Sequence, residues 1–193
     1  MRNGIYINLT NRCTNHCTFC IRNEGAGVYG SDSLWLDREP TAKEVLDDLG
    51  KYDFSKYNEV VFCGYGEPTI RIEELCEVAR GIKAMCSLPI RINTNGQGNL
   101  IHGRDITPMF EGIVDIVSIS MNTADAESYA EVCKPAYGEA AYQAVLDFGL
   151  CASKHVPEVI FSVVRTTIPD EDIEKCRVLA EKYGGKLRVR ELD

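Results

Sequence analysis

Six short apolar runs recur along this chain, at residues 4–9, 59–63, 89–93, 114–121, 159–164 and 187–192, and helical patterns lie between them. Each run has strand length and is rich in Val, Ile and aromatic residues. The helical signals are equally plain. Thr41-Ala42-Lys43-Glu44 reads as a capping box behind Pro40, and Ala42, Val45, Leu46 and Leu49 then form one apolar face. Ile72, Leu75, Cys76, Ala79 and Ile82 give the next helix its stripe. Two helical stretches are expected near 124–132 and 138–154. Asp170 is expected to cap a last helix carrying Ile173, Cys176, Leu179, Ala180 and Tyr183, which Gly184-Gly185 stops. Strands alternating with helices imply an α/β fold with a parallel sheet and right-handed crossovers. Six strands fall short of the eight of a closed barrel. The candidates are an open, partial barrel and a doubly wound sheet, and both bind ligands at the carboxyl ends of their strands.

The 193 residues are 45% hydrophobic, which suits one core and one domain over residues 1–193. No run of about 18 apolar residues is present, so no membrane span is expected. The apolar stretch near the N-terminus is too short for a secretory signal, and the default location is the cytoplasm. A formal net charge of −8 without a basic cluster argues against general nucleic-acid binding, while a specific tRNA partner stays open. Nine cysteines, an odd number, favour metal binding over a disulfide scaffold in such a chain.

The connection over residues 10–39 is long for a compact domain, which marks it as functional. It carries Cys13, Cys17 and Cys20. Three thiolates within eight residues can wrap one metal centre. A cubane iron–sulfur cluster takes four cysteines, so three leave one iron open to another ligand. The alternative is a structural zinc site, with His16 or a distant cysteine as fourth ligand, although a second C-x-x-C is missing from the sequence.

A second signal is Cys63-Gly64-Tyr65-Gly66-Glu67-Pro68, directly after the second strand. Its glycines permit close backbone approach, and Glu67 supplies a carboxylate suited to an ammonium group. Read alone, it is equally an ordinary strand-to-helix turn. A third signal is the polar ends of later strands: Asn93-Thr94-Asn95-Gly96, then Ser118, Ser120 and Asn122, which share one parity. Such a face lines a ligand cavity or fills a tight barrel interior with small residues. Arg188, Arg190 and Glu191 place charges in the sixth strand, which suits an edge strand or a functional one.

Together these residues resemble the radical S-adenosylmethionine (radical SAM) superfamily. Cys13, Cys17, Phe19 and Cys20 match its C-x3-C-x-Φ-C signature, and Gly64-Tyr65-Gly66-Glu67 matches its glycine–glutamate motif. More narrowly, Asn8 to Cys13, Phe62 to Thr69, Asn93 to Gly96 and Arg188 to Glu191 look like the TatD-linked radical SAM family. The resemblance spans essentially the whole chain. It implies a (β/α)6 partial TIM barrel with parallel strands and a [4Fe–4S] cluster on Cys13, Cys17 and Cys20 at its open top. S-adenosylmethionine would chelate the open iron. The segment Gly64, Tyr65, Gly66 and Glu67 would hold its amino group, and Phe19 would lie near the adenine. Asn93, Asn95, Ser120 and Asn122 are candidates for the ribose and carboxylate. Val164 and the backbone from Arg190 to Leu192 would flank the adenine.

The implied reaction is reductive cleavage of S-adenosylmethionine to a 5′-deoxyadenosyl radical that abstracts a substrate hydrogen. A one-electron donor such as flavodoxin or ferredoxin is the implied partner. His16 either tunes the cluster or is an ordinary surface histidine. Cys76 and Cys176 are expected in the core. Cys86, Cys133 and Cys151 show no ligand spacing, and Cys63 is expected to fill a strand end. The sequence ends after its sixth strand, so a barrel mouth capped locally by residues 21–39 and open to a protein or peptide substrate is the expectation, with a small molecule as the rival. The competing class is a zinc- or iron–sulfur-binding module without catalysis.

Overall fold

The computed structural model describes residues 3–24 and 33–191. Leu192 and residues 25–32 of the expected cap lie outside the described residues. Six strands form one parallel sheet: β1 (Gly4–Ile7), β2 (Glu59–Phe62), β3 (Ile90–Thr94), β4 (Ile116–Ser120), β5 (Glu158–Val164) and β6 (Lys186–Arg190). Their order in the sheet is the order of the sequence. A doubly wound sheet reverses direction at its centre, so the sequential order decides for the open barrel. With crossovers of one hand stepping in one direction, all helices pack on one side of the sheet.

The helices are α1 (Ala42–Leu49), α2 (Ile72–Met85), α3 (Gly98–His102), α4 (Ala126–Cys133), α5 (Ala140–Ala152) and α6 (Asp170–Lys182). The capping box is present on α1, where Thr41 Oγ1 accepts from Glu44 N and the Glu44 carboxylate accepts from Thr41 N. The stripe on α2 is buried as expected. Asp170 does not cap α6. Pro169 holds that position, and Asp170 starts the helix together with Glu171 and Asp172, where negative charge suits the positive end of the helix dipole. The sequence reading had no α3, which is only five residues long and ends on Gly103 in the left-handed region.

Strand parity divides the sheet into two faces. Ile5, Ile7, Val60, Phe62, Ile90, Ile92, Val117, Ile119, Phe161 and Val163 join the helices in the core. Full burial of each such side chain stabilises the fold by about 1.5–3 kcal/mol. The opposite parity carries Glu59, Arg91, Asn93, Ser118, Ser120 and Ser162, so the inner face of the barrel is polar. Arg91 crosses this face to Glu59 with a paired bond, Nε to Oε2 at 3.0 Å and Nη2 to Oε1 at 2.8 Å, and also donates to Asn93 Oδ1 at 2.6 Å. Both charges are buried and their pairing satisfies them. No helix among the described residues is long and apolar enough to cross a membrane.

Candidate active site

The loop after β1 is held on three sides. Its first limb is tied to residues 34–39: Asn8 Nδ2 donates to Leu34 O and Asn11 Nδ2 to Leu36 O, both at 2.8 Å, while Leu36 N returns to Asn11 Oδ1 at 3.2 Å. Glu39 fixes the same limb from below, accepting from Thr10 Oγ1 at 2.5 Å and from Arg12 at 2.6 and 2.9 Å. The neighbouring Arg12 guanidinium holds the Glu39 carboxyl below its usual range.

The second support is the turn after β2. Glu67 N donates to Arg12 O at 2.7 Å. A Cβ at Gly66 would lie 2.2 Å from Thr10 O and 2.6 Å from Arg12 O, so only glycine lets the two backbones approach this closely. Gly64, at φ +147°, faces the Asn8 side chain at 2.4 Å from the same imagined atom. The glycines of this motif thus seat the loop that carries the cysteines.

The third support is the end of α4. His16 N donates to Cys133 O and Thr18 N to Val132 O, both at 3.0 Å, and Ala136 N donates to Thr14 O at 2.8 Å. Asn15 pairs with Pro135 in an isolated antiparallel bridge. Cys13, Cys17 and Cys20, each partly exposed and free of disulfides, sit on the segment so held.

The donor set can be tested against the two metal chemistries. Among the described residues, no three His, Cys, Asp or Glu side chains converge at distances that hold a single ion. A cubane cluster presents separate iron atoms to separate thiolates, so three spaced thiols on one wrapping loop fit it. Burial pushes the Cys13 thiol up to about 11, and the nearby Glu67 carboxylate adds to this. The Cys17 thiol is also pushed up, first by a side-chain hydrogen bond with Cys133 and then by burial. Binding iron would replace those protons outright.

Glu67 is buried and turned into the protein. Its Oε1 accepts from Thr69 N at 3.0 Å and from the hydroxyls of Thr69 and Thr94 at 2.7 Å. Its Oε2 accepts from Asn95 N at 2.6 Å. The carboxylate is therefore committed to four protein donors, where the sequence suggested one offered to an ammonium group. Burial raises its proton affinity against the pull of these bonds. Its geometric effect is to clamp the ends of β2 and β3 together.

The remaining candidates line the strand ends. Asn95 Nδ2 donates to Thr14 Oγ1 at 2.9 Å and points at Cys13 Sγ, 3.9 Å away. Asn93 lies deeper, engaged by Arg91. Ser120 pairs in register with Ser162, and Val164 with Arg190, on the inner face. Asn122 is buried in the left-handed region at φ +63°, and its Oδ1 has no hydrogen-bond partner among the described residues. An orphaned acceptor is costly, and a bound hydroxyl or ammonium group would satisfy it. Tyr65 is buried beneath Trp35, whose ring centroid is 4.8 Å away, and the Arg22 guanidinium lies 5.0 Å over Trp35. Phe19 is partly exposed beside the cysteines, and His16 is a surface residue. Cys76 and Cys176 are in the core as expected. Sequence reasoning missed Gln97, Tyr129 and Cys133 beside the cysteine loop, because they join it through folding and no spacing announces them.

A family profile described as the radical SAM superfamily matches residues 7–180. The GTP 3′,8-cyclase of Lactiplantibacillus plantarum is 26% identical over 162 residues, which are 83% of this chain and 45% of that protein. The GTP 3′,8-cyclase of Corynebacterium glutamicum is 29% identical over 194 residues, 96% of this chain and 48% of that protein. The chain spans about half the length of these relatives. Among solved structures, Streptococcus suis SuiB bound to S-adenosylmethionine covers 100% of the chain and 41% of its own, with TM-score 0.71 and 14% identity. Methylornithine synthase (PylB) covers 100% of the chain and 54% of its own, with TM-score 0.63 and 17% identity. At these identities the likeness shows the fold, six parallel strands in a partial barrel. The narrower likeness to the TatD-linked family is not borne out, since the curated relatives are GTP 3′,8-cyclases and molybdenum cofactor biosynthesis proteins. The profile covers nearly the whole of the cysteine loop, glycine turn and strand ends described above, and the chain belongs to the radical SAM superfamily, enzymes that use a [4Fe–4S] cluster and S-adenosylmethionine.

Proposed function

We propose that Cys13, Cys17 and Cys20 ligate the cluster and that the strand ends around them bind S-adenosylmethionine for reductive cleavage. The observation that carries the reading is the three-thiol loop seated on Gly66 and closed by Glu67, with the fourth nearby sulfur, Cys133, wholly buried behind Cys17. When bound, the cluster and S-adenosylmethionine supply one-electron cleavage to a 5′-deoxyadenosyl radical, with the electron from a flavodoxin- or ferredoxin-like donor. The protein's own work is placement. The segment Gly64 to Gly66 would hold the amino group, Asn122 Oδ1 would offer an acceptor to a ribose hydroxyl, and Asn95 Nδ2 points at Cys13 Sγ. Ser120, Val164 and Arg190, which share the inner face, would flank the adenine, and Phe19 would lie near it.

The substrate reading is a nucleotide-like anion in preference to a peptide. The inner face presents Ser118, Ser120, Ser162, Arg188 and Arg190, a polar and cationic wall that suits phosphate and ribose. The curated relatives are named for a guanine nucleotide, although they share only the half of their length matched by this chain. The cofactor half of the proposal is tested by anaerobic reconstitution. About four irons and four sulfides per chain, with a reduced-cluster spectrum that changes on addition of S-adenosylmethionine, support it. One tightly bound zinc and no sulfide would sink it. For the substrate half, turnover of cofactor stimulated by GTP and not by unstructured peptides is the expected result, and the reverse pattern overturns it.

A further inference from the structure

Asn95 is held in one orientation by its neighbours. Its backbone N–H is committed to Glu67 Oε2 at 2.6 Å, which pins the residue just past the end of β3. Its Oδ1 accepts from Gln97 N at 2.9 Å. A backbone N–H can only donate, so this bond fixes which end of the amide is oxygen and turns the NH2 group the other way. One hydrogen of that group goes to Thr14 Oγ1 at 2.9 Å. The Thr14 hydroxyl gives its own hydrogen to Gln97 Oε1 at 2.8 Å, which leaves it an acceptor toward Asn95. The second hydrogen faces Cys13 Sγ, which lies 3.9 Å from Nδ2 and within hydrogen-bonding reach of an atom as large as sulfur. The same sulfur receives Asn15 N at 3.4 Å. Gln97 is held in turn, with Nε2 donating to Asn15 Oδ1 at 2.8 Å and to Tyr129 Oη at 3.1 Å. Asn15, Asn95, Gln97 and Tyr129 are all buried, so water does not compete for these bonds.

Resting on the cofactor reading above, we infer that Asn95 is a positioning residue for the cluster, donating its side-chain N–H to the Cys13 sulfur and raising the reduction potential of the bound cluster. This separates Asn95 from the candidates for the ribose and carboxylate, since its oxygen and both its amide hydrogens are directed within the protein. The amide is neutral and carries no ionisable proton, so the effect needs no change of protonation. Groups that hydrogen-bond a metal ligand from outside orient it and tune the centre. Reduction adds negative charge to the cluster and its ligand sulfurs. A fixed donor at one of those sulfurs stabilises the reduced form more than the oxidised form, and hydrogen bonds to sulfur are among the determinants of cluster potential.

The test is a redox titration of the reconstituted chain without S-adenosylmethionine, followed by the electron paramagnetic resonance of the reduced cluster. Asn95→Leu fills the same space and removes both side-chain donors. It is expected to retain its iron and to lower the equilibrium constant for reduction roughly threefold, about 28 mV for one electron. Asn95→Ser keeps an oxygen for the Gln97 N–H and loses the arm that reaches Cys13, and it is expected to show the same shift. Either variant fully loaded at or above the wild-type potential overturns the inference and leaves the cofactor reading standing. Loss of the cluster from both variants makes Asn95 a support of the cysteine loop alone and also overturns it. A wild-type chain that takes up no cluster overturns both.

Discussion

The backbone of Gly66 passes so close under the carbonyl oxygen of Thr10 that a side-chain carbon there would sit 2.2 Å from it. The contact joins the turn after β2 to the loop that carries all three candidate cluster cysteines. The clash is with backbone on both sides, Thr10 O and Arg12 O, so no rotamer change relieves it. Gly66→Ala is expected to destabilise the fold by about 2–4 kcal/mol and to reduce iron uptake severely. Urea denaturation and iron content per folded chain check the two effects separately. Normal iron uptake at wild-type stability would remove the seating role of this glycine.

Glu67 poses a different test, because its carboxylate gathers four donors. Glu67→Gln keeps the shape and turns one acceptor into a donor. One of the Thr69, Thr94 or Asn95 donors then faces an N–H group, at a cost of about 1–3 kcal/mol. The clamp between β2 and β3 loosens with it, and binding of S-adenosylmethionine to the reconstituted protein should weaken by tenfold or more. Calorimetric titration of the two proteins measures the difference, and equal affinities would contradict the clamp.

On the inner face, Arg91 and Glu59 neutralise one another in a buried paired bond. Arg91→Met leaves Glu59 charged and buried, and it is expected to cost about 3–5 kcal/mol. Adding Glu59→Gln to that variant should recover a large part of the loss, since the stranded charge goes with it. A double variant no more stable than Arg91→Met alone would show that the loss comes from packing.

The acid limb of stability has an identifiable source near α1. Arg38 and Thr41 hold the Glu44 carboxyl down to about 2, and Arg12 holds that of Glu39 below its usual range. Both groups have folded-state values depressed below the unfolded value. Their stabilisation is present above about pH 4.5 and is lost as pH falls toward the folded values. Glu44→Gln is therefore expected to lower the thermal midpoint at pH 7, where the pairing with Arg38 and the cap are lost, and to flatten its decline between about pH 4.5 and 2. An unaltered acid limb would assign it elsewhere.

The fold was legible because its signals are local. Ile72, Leu75, Cys76, Ala79 and Ile82 report a helix face by spacing alone, and Thr41 with Glu44 marks a helix start. The cysteine loop was legible for the same reason, three thiols lying within eight residues. Cys133 was not, because Cys17 meets it only after α4 folds back across the loop. The four donors that hold Glu67 were not legible, because they come from Thr69 close by and from Thr94 and Asn95 at the end of the next strand. Choosing between open barrel and doubly wound sheet needed the strand order, which apolar runs do not carry. The serines of β4 and β5 gained their meaning only when parity and packing placed the helices on the other face.

The central claim is that Cys13, Cys17 and Cys20 hold a cluster that cleaves S-adenosylmethionine. Its most direct measurement is the product of a single incubation: the anaerobically reconstituted chain, dithionite and S-adenosylmethionine, analysed for 5′-deoxyadenosine and methionine. The predicted result is both products in equal amounts from the wild-type chain and neither from Cys17→Ala. A wild-type chain that carries a full cluster and yields no 5′-deoxyadenosine, or a Cys17→Ala chain that yields as much, would contradict it.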